Sequence, residues 1–226
     1  MAGRWLACAD RDQAGRSVAQ VIGTALRKAL QQRERARLVL SGGSTPLQAF
    51  EWLSAAQLDW SRVDVLPSDE RCVAVDHPDS NAGMLRARLL QGPAAAARLH
   101  ALYRPGTDAA ADTAADIAVL RPFDCVLLGM GADGHFASLF PDFEDLDEAL
   151  DLASPETLVN VRTAASPHPR LSLTLAALCD TTCMLLLIFG ADKRAVYETA
   201  ATGDPRLPIS ALLTIDNLPL TTVWAP

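Results

Sequence analysis

The stretch FDCVLLGMGADGHFASLFPD, residues 123–142, decides the fold. Its first eight residues, FDCVLLGM, are apolar except for Asp124. A strand with one wet face alternates apolar and polar side chains, whereas a strand buried on both faces does not. The run therefore predicts a strand inside a parallel sheet, with helices on both sides. Gly129, Gly131 and Gly134 follow it with the spacing G-x-G-x-x-G. That spacing belongs to dinucleotide loops, but only where a long helix follows and an acid ends the next strand. Here Pro141 cuts any helix to a stub within two turns of Gly134. LVNVRTA (158–164) offers Arg162 where an acid is needed, and the loop follows a late strand, not the first. The glycines therefore do not read as a nucleotide site. What stands among them is His135, with Asp133 two residues before it. Histidine is the side chain suited to general-base work near neutral pH.

Working outward, strand-like runs alternate with helical ones. WLACA (5–9), RLVLS (37–41), VDVLP (63–67), TCMLLLIFG (182–190) and TTVWA (221–225) read as strands, with RLHAL and LVNV as shorter ones. Ala14, Val18, Ile22, Ala25 and Ala29 recur at helical spacing between Arg11 and Gln32. Thr45 followed by Pro46 reads as a helix cap and first-turn proline for PLQAFEWLSAA. Ser80 or Asn81 can cap a helix reaching Leu90. Further helices are expected over 108–120, 144–152 and 191–200. RLSLTLAALC (170–179) fits either type, and ATGDPRLPIS (201–210) reads as a loop. This alternation predicts an α/β fold with an open, mostly parallel sheet flanked by helices. Without a Gly-, Ser- or Pro-rich linker, residues 1–226 read as a single domain with a small excursion around 143–180.

The chain has 226 residues, half of them apolar, and a net charge of −7. That balance lacks the basic footprint of a nucleic-acid binder. An anionic ligand would need a local cluster of basic groups. Lys28 and Lys193 are the only lysines. The longest apolar run, CMLLLIFGA (183–191), is about half of a membrane span. The five cysteines form no C-x-x-C pair, and Cys8, Cys125 and Cys183 sit in strand-like runs as small hydrophobes. With no signal-peptide core in MAGRWLACADRDQ, a cytoplasmic protein is expected. No His/Cys set has metal-ligand spacing, and no G-x-S-x-G elbow occurs.

Ligands of open α/β sheets sit beyond the carboxyl ends of the strands. Four such ends carry SGGSTP (41–46), SDER (68–71), GADGH (131–135) and GADK (190–193). Gly42 and Gly43 let a ligand approach the backbone, while Ser44 and Thr45 offer hydroxyls. Asp69, Glu70 and Arg71 set two carboxylates beside a guanidinium. Outside these loops, His77, His100 and His168 read as structural or surface residues.

Taken in order, LSGGSTP, DERCVAVDHPDSN, LGMGADGHFASLFPD, PHPRLSLT and FGADK resemble the 6-phosphogluconolactonase family, over about residues 36 to 194. The resemblance implies a Rossmann-like fold related to glucosamine-6-phosphate deaminases. It implies hydrolysis of the sugar-phosphate lactone 6-phospho-D-glucono-1,5-lactone in the oxidative pentose phosphate pathway. No cofactor, metal, nucleic acid, membrane or obligatory protein partner is implied. His135 matches the family's general base, and Asp133 is expected either to orient the imidazole or to shape the loop. Arg71, Arg170 and Lys193 match basic positions at the phosphate end. Gly42, Gly43, Ser44, Thr45, Asp69, Asn81 and Gly131 match positions lining the site. Phe136 and Ala82 depart from the pattern, where Thr and an aromatic are common. The related isomerase/deaminases typically carry Tyr where Arg71 stands and F-N-E-P where SLFP stands. A sugar-phosphate sensor would bind without turnover; no helix-turn-helix segment accompanies this chain.

Overall fold

The computed structural model describes residues 3–106 and 109–226. Seven parallel strands form one sheet: β1 (Arg4–Ala7), β2 (Ala36–Leu40), β3 (Val63–Pro67), β5 (Arg98–Leu99), β6 (Cys125–Leu128), β9 (Met184–Phe189) and β10 (Leu220–Ala225). Their spatial order is β1-β10-β9-β6-β2-β3-β5. β4 (Asp69–Arg71), β8 (Arg170–Leu173) and β7 (Leu158–Val161) form a separate antiparallel sheet, in that order. Ser68 joins the two sheets: its amide donates to Leu40 O of β2, and its carbonyl accepts from the Leu173 amide of β8.

The expected two-faced burial of the parallel strands is present. Leu38, Leu40, Cys125, Leu127, Leu185 and Leu187 face one layer, and Val39, Val126, Leu128, Leu186 and Ile188 face the other. The first layer is closed by α1 (Arg11–Gln32), α2 (Leu47–Ser54) and α3 (Asn81–Arg88). α1 starts where Asp10 accepts from the Gln13 amide, and it buries Ala14, Val18, Ile22 and Leu26 along one stripe. The second layer is closed by the small sheet with α6 (Leu175–Cys179), α7 (Gly190–Ala200) and α8 (Ile209–Leu213). α4 (Ala109–Ala118) and the single-turn α5 (Leu146–Ala149) complete the helices. Of the helix expected over 108–120, Asp108 lies outside the described residues.

Several local expectations are corrected. Thr45 caps no helix; Pro46 precedes α2 and no side chain caps it. SDER is not a loop, because Asp69–Arg71 is a strand that leaves the main sheet. RLSLTLAALC is both types, divided at Thr174, whose hydroxyl accepts from the Ala177 amide and starts α6. ATGDPRLPIS ends inside α8, which begins at Ile209. HFASLF forms no helix; Phe136 and Leu139 instead close a tight turn through a β-bridge. All five cysteines are free, and the Cys125 and Cys183 sulfurs lie 3.6 Å apart on adjoining strands.

Candidate active site

From the centre of the main sheet, β2 leads outward to β3 and β5, and β6 leads the opposite way to β9 and β10. The strand order therefore reverses between β2 and β6. A cleft opens beyond the carboxyl ends of strands at such a point. It is there: a cleft of about 170 Å³ lies between the loop after β2 and the loop after β6.

The first loop brings Ser41, Gly42, Gly43 and Thr45 to the cleft wall. The Gly42 and Gly43 amides make no hydrogen bond among the described residues. A Cβ on Gly42 would collide with the Asn81 side chain, so the close approach needs glycine. Ser44 is exposed and does not line the cleft.

β4 supplies Asp69 and Arg71, and α3 supplies Asn81. These are knitted together: Asn81 Nδ2 donates to Asp69 O at 2.7 Å, and Arg71 donates to Asn81 Oδ1 at 2.7 Å. Glu70 points away from the cleft. Its buried carboxylate accepts from the amides of Arg71, Asn81 and Ala82 and from the Ser80 hydroxyl. Burial raises its pKa above the usual carboxylate range, against the pull of those donors. It anchors the N-terminus of α3 to β4, where a negative charge also meets the helix dipole. Ala82 is buried and contributes an amide to that anchor.

β4 and β8 pair antiparallel, with Arg71 directly opposite Arg170. Like charges facing across strands repel. Arg170 is nearly buried, and burial is the main cause lowering its pKa; the Arg71 charge adds to that and Asp69 opposes it. Its Nη1 contacts Asp69 at 3.5 Å and Ser138 Oγ at 3.3 Å, and its Nε is buried without a partner. Ser41 Oγ is likewise buried and unpartnered. Both residues line the cleft, and such unsatisfied polar groups suit a polar ligand.

The loop after β6 carries the histidine. His135 Nδ1 lies 2.6 Å from Asp133 Oδ1, and the His135 carbonyl accepts from the Gly131 amide at 2.8 Å. The imidazole packs on Phe140 with ring centroids 4.2 Å apart. The Arg170 guanidinium sits over the same Phe140 ring, 5.2 Å from its centroid. His135 Nε2 has no protein partner among the described residues, and His135 lines the cleft. A Cβ on Gly131 would strike the His135 ring and the Asp133 carboxylate.

Asp133 and Lys193 do not line the cleft. Asp133 supports the imidazole from outside it. Lys193, in the first turn of α7, is half-buried; burial lowers its pKa and the Asp133 charge works against that. Sequence reasoning passed over Ser41, Ser138 and Phe140. Ser138 and Phe140 stand within the quoted SLFP block, yet only the fold shows Ser138 Oγ donating to Asp69 at 2.5 Å. Phe136 borders the cleft but is fully buried and belongs to the core. His77 and His168, expected to be structural or surface residues, meet across two connections.

A wider cavity of about 390 Å³ lies along α1, at the amino ends of β6 and β9. Val21, Ala25 and Ala29 line it beside Lys28, Arg33 and Asp124, and neither a histidine nor a glycine loop reaches it. Among the described residues no helix is long and apolar enough to cross a membrane.

The fold and the cleft define the class: a Rossmann-like α/β protein whose cleft lies at the reversal of strand order. The chain belongs to the glucosamine-6-phosphate isomerase/6-phosphogluconolactonase family, whose model matches residues 9–224. It is 42% identical over 226 residues to a 6-phosphogluconolactonase of Mesorhizobium japonicum, covering 98% of this chain and 95% of the relative. It is 41% identical to one of Pseudomonas aeruginosa, covering 95% and 91%. A crystal structure of a 6-phosphogluconolactonase from Shewanella baltica superposes with a TM-score of 0.90 at 33% identity, covering 99% and 98%. A monomeric glucosamine-6-phosphate deaminase, 18% identical with a TM-score of 0.78, shares the fold.

Proposed function

We propose that the protein hydrolyses 6-phospho-D-glucono-1,5-lactone to 6-phospho-D-gluconate in the oxidative pentose phosphate pathway, as one cytoplasmic catalytic domain that needs no obligatory partner. The observation that carries this reading is the Asp133–His135 pair at the cleft. An acceptor 2.6 Å from Nδ1 favours the tautomer with the proton on that nitrogen. Nε2 is then a lone pair facing a cleft walled by hydroxyls, glycines and guanidinium groups. The names of the relatives support the substrate.

A lactone is an activated ester, so a positioned base and oxyanion donors suffice. Water attacks C1 while His135 Nε2 takes its proton. The carbonyl oxygen becomes an oxyanion, for which the free amides of Gly42 and Gly43 are donor candidates. The tetrahedral centre collapses, the bond from C1 to the ring oxygen breaks, and the imidazolium returns the proton to that oxygen. The product is the open-chain acid, which ionises.

Arg71 and Arg170 hold the phosphate in this reading, and Lys193, which stands outside the cleft lining, adds positive charge from the first turn of α7. An anion relieves the repulsion between Arg71 and Arg170, and phosphate accepts well from guanidinium forks. Phosphate binding, remote from C1, then orients C1 toward the base. Asp69, Asn81 and Thr45 face the same cleft and suit sugar hydroxyls. The test is formation of 6-phosphogluconate from fresh lactone with and without the protein, spontaneous hydrolysis subtracted, repeated with His135→Asn.

A further inference from the structure

Outside the cleft, His77 and Asp79 on the connection from β4 to α3 meet His168 on the connection from β7 to β8. His168 Nε2 lies 3.2 Å from Asp79 Oδ2, and His77 Nδ1 lies 3.9 Å from the same oxygen. The two imidazoles stand edge to face with centroids 5.4 Å apart. One ligand atom from each residue falls within 4.8 Å of the others. Two imidazoles and a carboxylate are a donor set that suits Zn²⁺. All three side chains are partly exposed, so an ion can reach them and the rings can turn.

We propose that His77, Asp79 and His168 form a binding site for a late first-row divalent cation, with Zn²⁺ as the representative, completed by water. Tetrahedral zinc places its ligand atoms roughly 3.4 Å apart. The widest gap, at most 4.8 Å, must therefore close by up to about 1.4 Å, which rotation of the exposed imidazoles supplies. If His77 binds through Nδ1, that atom gives up the bond it accepts from the Asp79 amide at 3.1 Å.

The ion would join the two segments that carry the cleft arginines. Arg71 donates to the Asp79 carbonyl at 3.1 Å, and His168 is two residues before Arg170. The Pro169 carbonyl already accepts from the Cys72 amide at 2.8 Å, so the segments are in register. A cross-link here adds to folded-state stability by mass action. The role is structural, and the inference stands whether or not the lactone reading holds.

The test is titration of the purified full chain with Zn²⁺ by calorimetry, with melting temperature followed in parallel. The variants are His77→Ala, His168→Ala and Asp79→Asn, with His135→Asn as the cleft control and circular dichroism to confirm folding. Expected is one equivalent of Zn²⁺ per wild-type chain and a raised melting temperature. Affinity should fall at least about tenfold in each cluster variant and stay unchanged in His135→Asn. Substitution with Co²⁺ should give a spectrum without a thiolate charge-transfer band. No binding to wild type, binding indifferent to the cluster variants, or binding lost in His135→Asn would each overturn the proposal.

Discussion

Arg71 and Arg170 stand directly opposite each other across the β4–β8 pair, and both line the cleft. Asp69 contacts Arg170 only at 3.5 Å, and Arg71 is bonded to neutral oxygens of Asn81 and Asp79. In the proposed reading the substrate phosphate completes the pair. Arg170→Met should raise KM about 10- to 100-fold, the loss expected for hydrogen bonds to a charged group. The effect on kcat should be much smaller. Steady-state kinetics on the lactone check this, and a fall confined to kcat contradicts it.

Gly131 must lack a side chain because His135 and Asp133 occupy the space a Cβ would take. Gly131→Ala should displace the imidazole and lower kcat about 100-fold. Far-UV circular dichroism should be unchanged. A fully active Gly131→Ala variant would show that the ring position is not critical.

Glu70 accepts four hydrogen bonds while buried, so its role is architectural. Glu70→Gln keeps the shape but converts one oxygen into a donor, leaving at least one buried partner unsatisfied. The cost is about 1–3 kcal/mol, and melting temperature should drop by several degrees. kcat/KM should fall too, because Asn81 and Arg71 lose their anchor. A variant with unchanged melting temperature would refute this role.

The frame was legible in the sequence wherever the signal was local. The bounds of α1 follow from its apolar stripe, and β6 follows from its unbroken apolar run. The four polar strand ends pointed to the cleft, and the structure sets residues from three of them along its wall. Asp69–Arg71 escaped as a strand because three residues carry no period, and its partner β8 lies about 100 residues away. Helix α8 was hidden by Pro205 and Pro208, which read as loop signals although Pro208 sits at its start. Thr45 looked like a cap by residue type; its place in the cleft wall depends on the turn before α2. The approach of His77 to His168 joins residues 91 apart, which no local pattern records.

Asp64 gives the fold a measurable acid limb. It is buried, which alone would raise its pKa, but bonds from Arg35 at 2.7 and 3.0 Å and from His100 at 2.8 Å hold it below the usual range. A carboxylate depressed in the folded state stabilises above its unfolded pKa of about 3.9. That stability is lost as pH falls through the folded value. Wild type should exceed Asp64→Asn in unfolding free energy at pH 6 by about 1–3 kcal/mol, the difference shrinking below about pH 4. Urea unfolding across that range checks it, and a difference independent of pH contradicts it.

The central claim is that His135 Nε2 takes the proton from the attacking water. Its most direct test is kcat of His135→Asn on fresh 6-phosphogluconolactone, with spontaneous hydrolysis subtracted and folding confirmed. The account predicts a fall of about 10²- to 10⁴-fold with KM little changed. A folded His135→Asn enzyme with wild-type kcat would contradict it.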